Sequence, residues 1–339
     1  MSMPTPKENF LRLVRHDDPH WLGNPWSCFN VAGPRGLPYL PDAINVLYNR
    51  SSLGVVGKKD CFGVVWDWPA DQPGPTPRNH GEYIVVKDIT HWQDYFEFPS
   101  LKNLDWAATK AACGNIDRQN KLVCIQSPRG MFEFSHSVMG FENALMNYLL
   151  EPDAMYELLS AYTDFKIESV KQAIDEMEPD IIINMDDWGS KTQLFLPPDT
   201  WRTILKPLYK RFYDYIHSRG VIIMQHNDSH AQEVCEDMAE LGLDIWQGIT
   251  PENDINGVVK RTEGKVFLLG GISMPTIDKP GVTETEVRAH IRDTMDKYAL
   301  SGRFNPCFTS IMALDPMVAD VGSDEMDKYG AVMAEKVFG

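Results

Sequence analysis

The sequence has no closely paired cysteines: its six, at positions 28, 61, 113, 124, 235 and 307, are scattered along 339 residues. That spacing excludes a disulfide framework and argues against a structural zinc site, and it fits reduced thiols in the cytoplasm, at least one of them available to a metal. Basic runs are also missing. With 48 acidic residues against 32 basic ones and a net charge of −16, the chain lacks the footprint that phosphate backbones or anionic membrane surfaces require. No apolar stretch approaches the length needed to cross a bilayer, and the opening "MSMPTPKENFLRLVRHDD" contains no secretory apolar core. There is no GxGxxG, no Walker motif and no repeat of solenoid length.

What is present is a sizeable apolar fraction, 43%, in a chain long enough for one large α/β domain or two smaller ones. The spacing predicts an opening helix over 7–14, capped by Thr5 with Pro6 in its first turn. Residues 21–81 are rich in Pro, Gly and aromatics, with one strand candidate over 60–68; a loop-rich segment of this kind usually forms a binding surface or lid. From Lys121 onward the pattern becomes regular. Strands are expected at "LVCIQSP", "DIIINM", "VIIMQHND", "DIWQGI", "VFLLGGIS" and "RFNPCFTS", and helices over 136–150, 152–178, 198–218, 230–242, 254–263, 284–299 and 325–337. Six strands, nearly all followed by helices, with one or two more in the first hundred residues, predict a single TIM-type (β/α)8 barrel spanning 1–339. Residues 1–100 would then be a helix and loop-rich extension folded onto the barrel mouth. A doubly wound sheet is the competing architecture, but it would normally bring a glycine-rich phosphate turn, which is absent.

The chemistry collects where strands end. "VIIM" is a β-branched run suited to a strand buried on both faces, and it stops abruptly in His226 and Asp228, which at i and i+2 share one face. Cys307, directly after Pro306, ends the last strand. Imidazole, carboxylate and thiolate are all acceptable to zinc, and three protein ligands leave an open position, as a catalytic zinc requires. A cysteine in a parallel strand is more commonly a small buried hydrophobe, and His226 and Asp228 could instead serve a loop hydrogen bond and a helix cap. Asp186 and Asp187, adjacent carboxylates after "IIINM", are candidate acid or base residues, with capping as the ordinary alternative. Trp66, Trp68, His80 and Trp188 are placed to hold a flat substrate, or else to fill the core.

The stretch "MDDWGSKTQLFLPPDTWRTILKPLYKRFYDYIHSRGVIIMQHNDSH", with the later "NPC" and more loosely "TPKENFLRLVRHDDP", resembles the uroporphyrinogen decarboxylase superfamily. The resemblance implies a single βα barrel and an enzyme of one of several chemistries. Decarboxylase members grip the carboxylates of a tetrapyrrole with an arginine-rich N-terminal stretch; here that region offers Arg12 and Arg15 and no arginine after the tryptophan. The other branch holds zinc-dependent corrinoid methyltransferases, whose zinc motif is similar to His-x-Cys with a later Cys. His226 and Cys307 match it, while Asp228 stands where the first Cys would be. A carboxylate in place of a thiolate leaves a harder, more Lewis-acidic zinc that favours an oxygen partner. The resemblance therefore implies transfer of methyl from a methoxylated aromatic to the cob(I)alamin of a partner corrinoid protein, that is, O-demethylation. The alternatives are transfer from a methylcorrinoid to a thiol of the coenzyme M type, uroporphyrinogen decarboxylation, and a barrel that only binds.

Overall fold

The computed structural model describes residues 3–30, 42–48, 52–72, 74–127, 129–308, 313 and 315–339. Thr309 and Ser310, which follow Cys307, and residues 31–41 of the Pro/Gly-rich segment lie outside them. The opening helix, Pro6–Arg15, starts with the expected Thr5 cap, reinforced by Glu8 in a capping box. Three short strands follow, β1 (Val55–Lys59), β2 (Val65–Trp68) and β3 (Thr76–Arg78), paired antiparallel.

The main sheet holds six parallel strands in chain order: β4 (Cys124–Ser127), β5 (Ile181–Met185), β6 (Ile222–His226), β7 (Ile245–Ile249), β8 (Phe267–Gly271) and β9 (Phe304–Cys307). A doubly wound sheet must reverse its order somewhere, and among the described residues this one never does. Eight strands were expected, and among the described residues six pair in this sheet. Where a further strand would lie between β9 and β4, Gly23 exchanges hydrogen bonds with the Asn305 side chain, and Phe29 makes a single parallel bridge to Leu122. Between them Pro25–Cys28 coils into a 3-10 turn, and Pro25 has no N–H to give a ladder.

Alternation along the strands decides which side chains meet the helices. Asn184 of β5 donates to Gln225 of β6, Gln225 accepts from Tyr213 of the helix Lys206–Ser218, and Lys166 of the helix Pro152–Met177 reaches Ser127 and Asn184. Ser127, Asn184 and Gln225 therefore face the helix layer. Met185, His226 and their i+2 neighbours face the other way, because successive strand residues point to opposite faces. Burial on both faces also explains why "III" and "FLL" show no polar alternation.

Several helices depart from expectation. The helix expected over 136–150 is two, Met131–Met139 and Phe141–Leu150, broken at Gly140. Gly140 has φ +89°, and a Cβ there would stand 2.8 Å from the Asn79 carbonyl, so the N-terminal segment packs where a continuous helix would run. The helix after β5 widens into a π-turn over Trp201–Leu205, with Lys206 N bonding to Trp201 O just before Pro207, whose ring supplies no N–H. The last helix spans Pro316–Phe338, nine residues earlier than expected from 325, started by Asp315 as cap and Pro316 at its first position.

The two ends of the sheet are distinguished by what covers them. At the starting end, Lys7 pairs with Asp180 just before β5, and Arg303 just before β9 donates to the Leu13 and Val14 carbonyls. The opening helix, and with it Arg12 and Arg15, thus sits where the strands begin. At the finishing end, Arg129, two residues beyond β4, forms a buried ion pair with Asp60 at 2.5 Å. Asp60 also accepts from Trp66 Nε1 and from the Phe62 and Val64 amides, which ties the three-stranded sheet to the end of β4.

Candidate metal centre at the strand ends

His226 closes β6, level with Met185 of β5 and Gln247 of β7. One step past Met185 in the same alternation comes Asp187, and one step past His226 comes Asp228. The result is a group of three: one ligand atom each from Asp187, His226 and Asp228 lie within 4.8 Å of one another. Among the described residues this is the group of acidic, imidazole or thiol side chains close enough to hold one ion. His226 is buried, Asp187 half-buried and Asp228 exposed, so the cluster opens to solvent on the Asp228 side.

The two carrying loops are tied together. Asp228 N donates to Asp187 Oδ1 at 3.0 Å, Gly189 N to Ser229 Oγ at 2.9 Å, and His230 N to Ser190 O at 2.7 Å. Gly189 has no alternative here, since any Cβ would collide with the His230 and Gln193 carbonyls. Such cross-bracing holds ligands in place before anything binds.

Behind the imidazole stands Gln247. Its Oε1 lies 2.5 Å from His226 Nδ1, and its Nε2 lies 3.7 Å from Cys307 Sγ, so the amide separates His226 from Cys307. The Cys307 thiol donates to the Phe308 carbonyl at 3.1 Å, and burial pushes it up to about 12. Cys307 is therefore a neutral thiol in the ion-free protein. His226 and Asp228 come together as the spacing suggested, with Asp187 as their third neighbour; Cys307 does not join them.

The adjacent carboxylates have separate surroundings. Asp186 continues the helix-facing phase of β5. It accepts from the Phe132 amide (3.1 Å), the Glu133 amide (2.7 Å), Trp188 Nε1 (3.0 Å) and the Tyr209 hydroxyl, and so caps the helix Met131–Met139 from inside the protein. Gly130, before that helix, leaves room for it, because a Cβ would collide with the Asp186 side chain. Asp187 faces the cluster instead. Burial raises its carboxyl, the charge of Asp228 raises it further, and together they bring it to about 7.

This shift sets the sign of a pH effect. Below about 7 the Asp187 carboxyl holds a proton that a cation must displace, and above it the carboxylate is free. Divalent-metal affinity of the isolated protein should rise by about tenfold per pH unit up to that point and then level off. Metal titrations from acid to mildly alkaline pH check this, and an affinity flat across pH 7 would remove Asp187 from the ligand set.

The aromatic candidates are dispersed. Trp66 is buried with the Arg129 guanidinium 4.8 Å from its ring centre, so it belongs to the Asp60–Arg129 junction. Trp68 donates to Gln72 O at the surface, and His80 is exposed with its ring edge-on to Tyr83. Trp188 is buried against Trp201 and Tyr209. Gln247 falls inside the expected strand "DIWQGI", but nothing local marks it, since its level with His226 depends on the β6–β7 register. Arg129 was missed altogether: its partner Asp60 lies 69 residues away.

No curated protein matches the chain. In structure it is similar to a methyltransferase from Methanosarcina mazei, with a TM-score of 0.65 and 14% identity over 96% of this chain and 99% of that one. At that identity the likeness is one of fold. Residues 98–304, more than half of the sequence and including β4 to the start of β9, match the uroporphyrinogen decarboxylase (URO-D) family. The chain belongs to that family.

Proposed function

We propose that this protein is a metal-dependent methyltransferase that takes a methyl group from a methoxylated aromatic and passes it to the cob(I)alamin of a partner corrinoid protein. The observation that carries the reading is the oxygen-rich cluster of Asp187, His226 and Asp228 at the strand ends. Two carboxylates beside one imidazole, with the Asp187 carboxyl raised by its neighbour's charge, fit a divalent cation that would relieve the repulsion. Asp187, His226 and Asp228 would hold zinc, with Cys307 kept back behind Gln247.

When bound, zinc supplies Lewis acidity toward the ether oxygen, which favours departure of the phenolate as the methyl carbon is attacked. The chain's own residues do the rest. Gln247 orients His226, and the Asp228 amide holds Asp187. A carboxylate-rich set favours an oxygen partner over a thiol, so demethylation of an ether is preferred to methylation of a thiol. Decarboxylation of a tetrapyrrole is not favoured. Arg12 and Arg15 lie on the opening helix at the far end of the sheet, and Arg129, at the near end, is already paired with Asp60.

Metal analysis of the purified protein should find close to stoichiometric zinc. Mixed with a reduced corrinoid protein and a panel of methoxybenzenes, it should consume the cob(I)alamin absorbance and release phenols. Protein without metal, or one that methylates thiols and leaves aryl ethers intact, would overturn the reading.

A further inference from the structure

A chain of donors and acceptors runs behind the imidazole, and its direction can be worked out from one end. The Cys307 S–H points at the Phe308 carbonyl, 3.1 Å away, so toward Gln247 the sulfur can only accept. It must therefore face the amide's Nε2, at 3.7 Å. That turns Oε1 toward His226 Nδ1, at 2.5 Å, and an amide oxygen can only accept. His226 must then carry its proton on Nδ1, which leaves Nε2 bare.

The backbone is shaped to hold this arrangement. The β7–β8 pairing slips between Gln247 and Ile249, which makes Gly248 a bulge with φ +97°. A Cβ on Gly248 would stand 3.1 Å from Asn227 O and 3.2 Å from His226 Nδ1, so the imidazole packs against a position that only glycine fills without strain. The Gln247 carbonyl also accepts from the Asn227 amide at 2.9 Å, fixing the strand beside the ligand loop.

From this geometry we infer that Gln247 is the positioning residue of the metal centre: its amide, oriented by Cys307, selects the Nδ1–H tautomer of His226 and presents Nε2 to the cation. The inference rests on the metal reading of the Asp187–His226–Asp228 cluster. It also assigns Cys307 a task, as the group that sets the direction of the amide. Partners of this kind typically tune metal affinity by 10- to 100-fold.

The test has two readouts. In the metal-free wild-type protein, long-range proton–nitrogen correlation spectra of the His226 ring should show the proton on Nδ1, against the usual preference of free histidine for Nε2. Zinc titration of Gln247→Met, which removes the acceptor at similar volume, should show affinity lower by about 10- to 100-fold, with the ring shifted toward the Nε2–H form. Gln247→Glu, which restores an acceptor for Nδ1, should recover both. An Nε2–H ring in the wild-type protein would overturn the inference even if zinc binds, and so would unchanged affinity in a folded Gln247→Met. If instead the wild-type protein binds no metal, the proposed function and the metal-positioning role fall, and an Nδ1–H ring that depends on Gln247 would uphold only the selection of the tautomer by the amide. The wild-type spectrum decides the point even should Gln247→Met not fold.

Discussion

His226→Ala should abolish both metal binding and methyl transfer while the far-ultraviolet circular dichroism stays that of the wild type. The imidazole is the one nitrogen donor in a cluster otherwise made of carboxylates, and losing a ligand should cost more than the 10- to 100-fold that an orienting partner contributes. The structural penalty is small by comparison. The substitution leaves Gln247 Oε1 without its donor, worth about 1–3 kcal/mol if water cannot replace it, in a site already open on the Asp228 side. Cys307→Ala is the informative contrast. Because Gln247 stands between Cys307 and His226, that variant should keep its metal, though more weakly as the amide loses its anchor. Metal content measured on both variants after gel filtration separates the cases. Equal, complete loss in Cys307→Ala would place sulfur in the ligand set and require Gln247 to swing aside.

The parts of this site that could be read from sequence are those governed by local geometry. His226 and Asp228 share a face because they are two apart at the end of a strand, and no tertiary information is needed to see it. Asp186 and Asp187 could not be told apart in that way. Their roles depend on the phase of β5, and the phase becomes evident only once Asn184 is seen against Gln225 and the helix layer. Gln247 depends on one further level, the register between β6 and β7. The aromatic segment failed for a different reason. Trp66 was available to a pocket on composition alone, but an ion pair across 69 residues, Asp60 with Arg129, drew it into a buried junction. The break at Gly140 depends likewise on a distant carbonyl, Asn79 O. By contrast, the early start of the last helix was legible, since Asp315-Pro316 is an ordinary cap and first-turn pair.

The neighbouring aspartates should give opposite phenotypes. Asp186→Ala should destabilise the fold by about 3 kcal/mol or more, since it removes the cap of the helix Met131–Met139, takes the Asp186 carboxylate from the Phe132 and Glu133 amides and the Tyr209 hydroxyl, and leaves Trp188 Nε1 with Tyr209 alone. Whatever folded protein remains should still bind metal, because the Asp187 cluster is intact. Asp187→Asn should do the reverse and lose metal without losing stability. Its effect on the metal-free protein depends on pH, and the sign follows from the raised carboxyl. The ordinary aspartate value is 3.8 and the folded value about 7, so the folded state holds the proton more tightly than the unfolded one. The wild-type protein therefore loses stability as pH rises through that window, with the whole penalty present above 7. An asparagine has no charge to acquire, so the variant's denaturation midpoint should not share that decline and should exceed the wild type's above pH 7. Urea denaturation of the three metal-free proteins at pH 5 and pH 8, alongside zinc titrations, reads both effects. If Asp187→Asn declined with pH as steeply as the wild type, the charge opposed to Asp228 would not be its own.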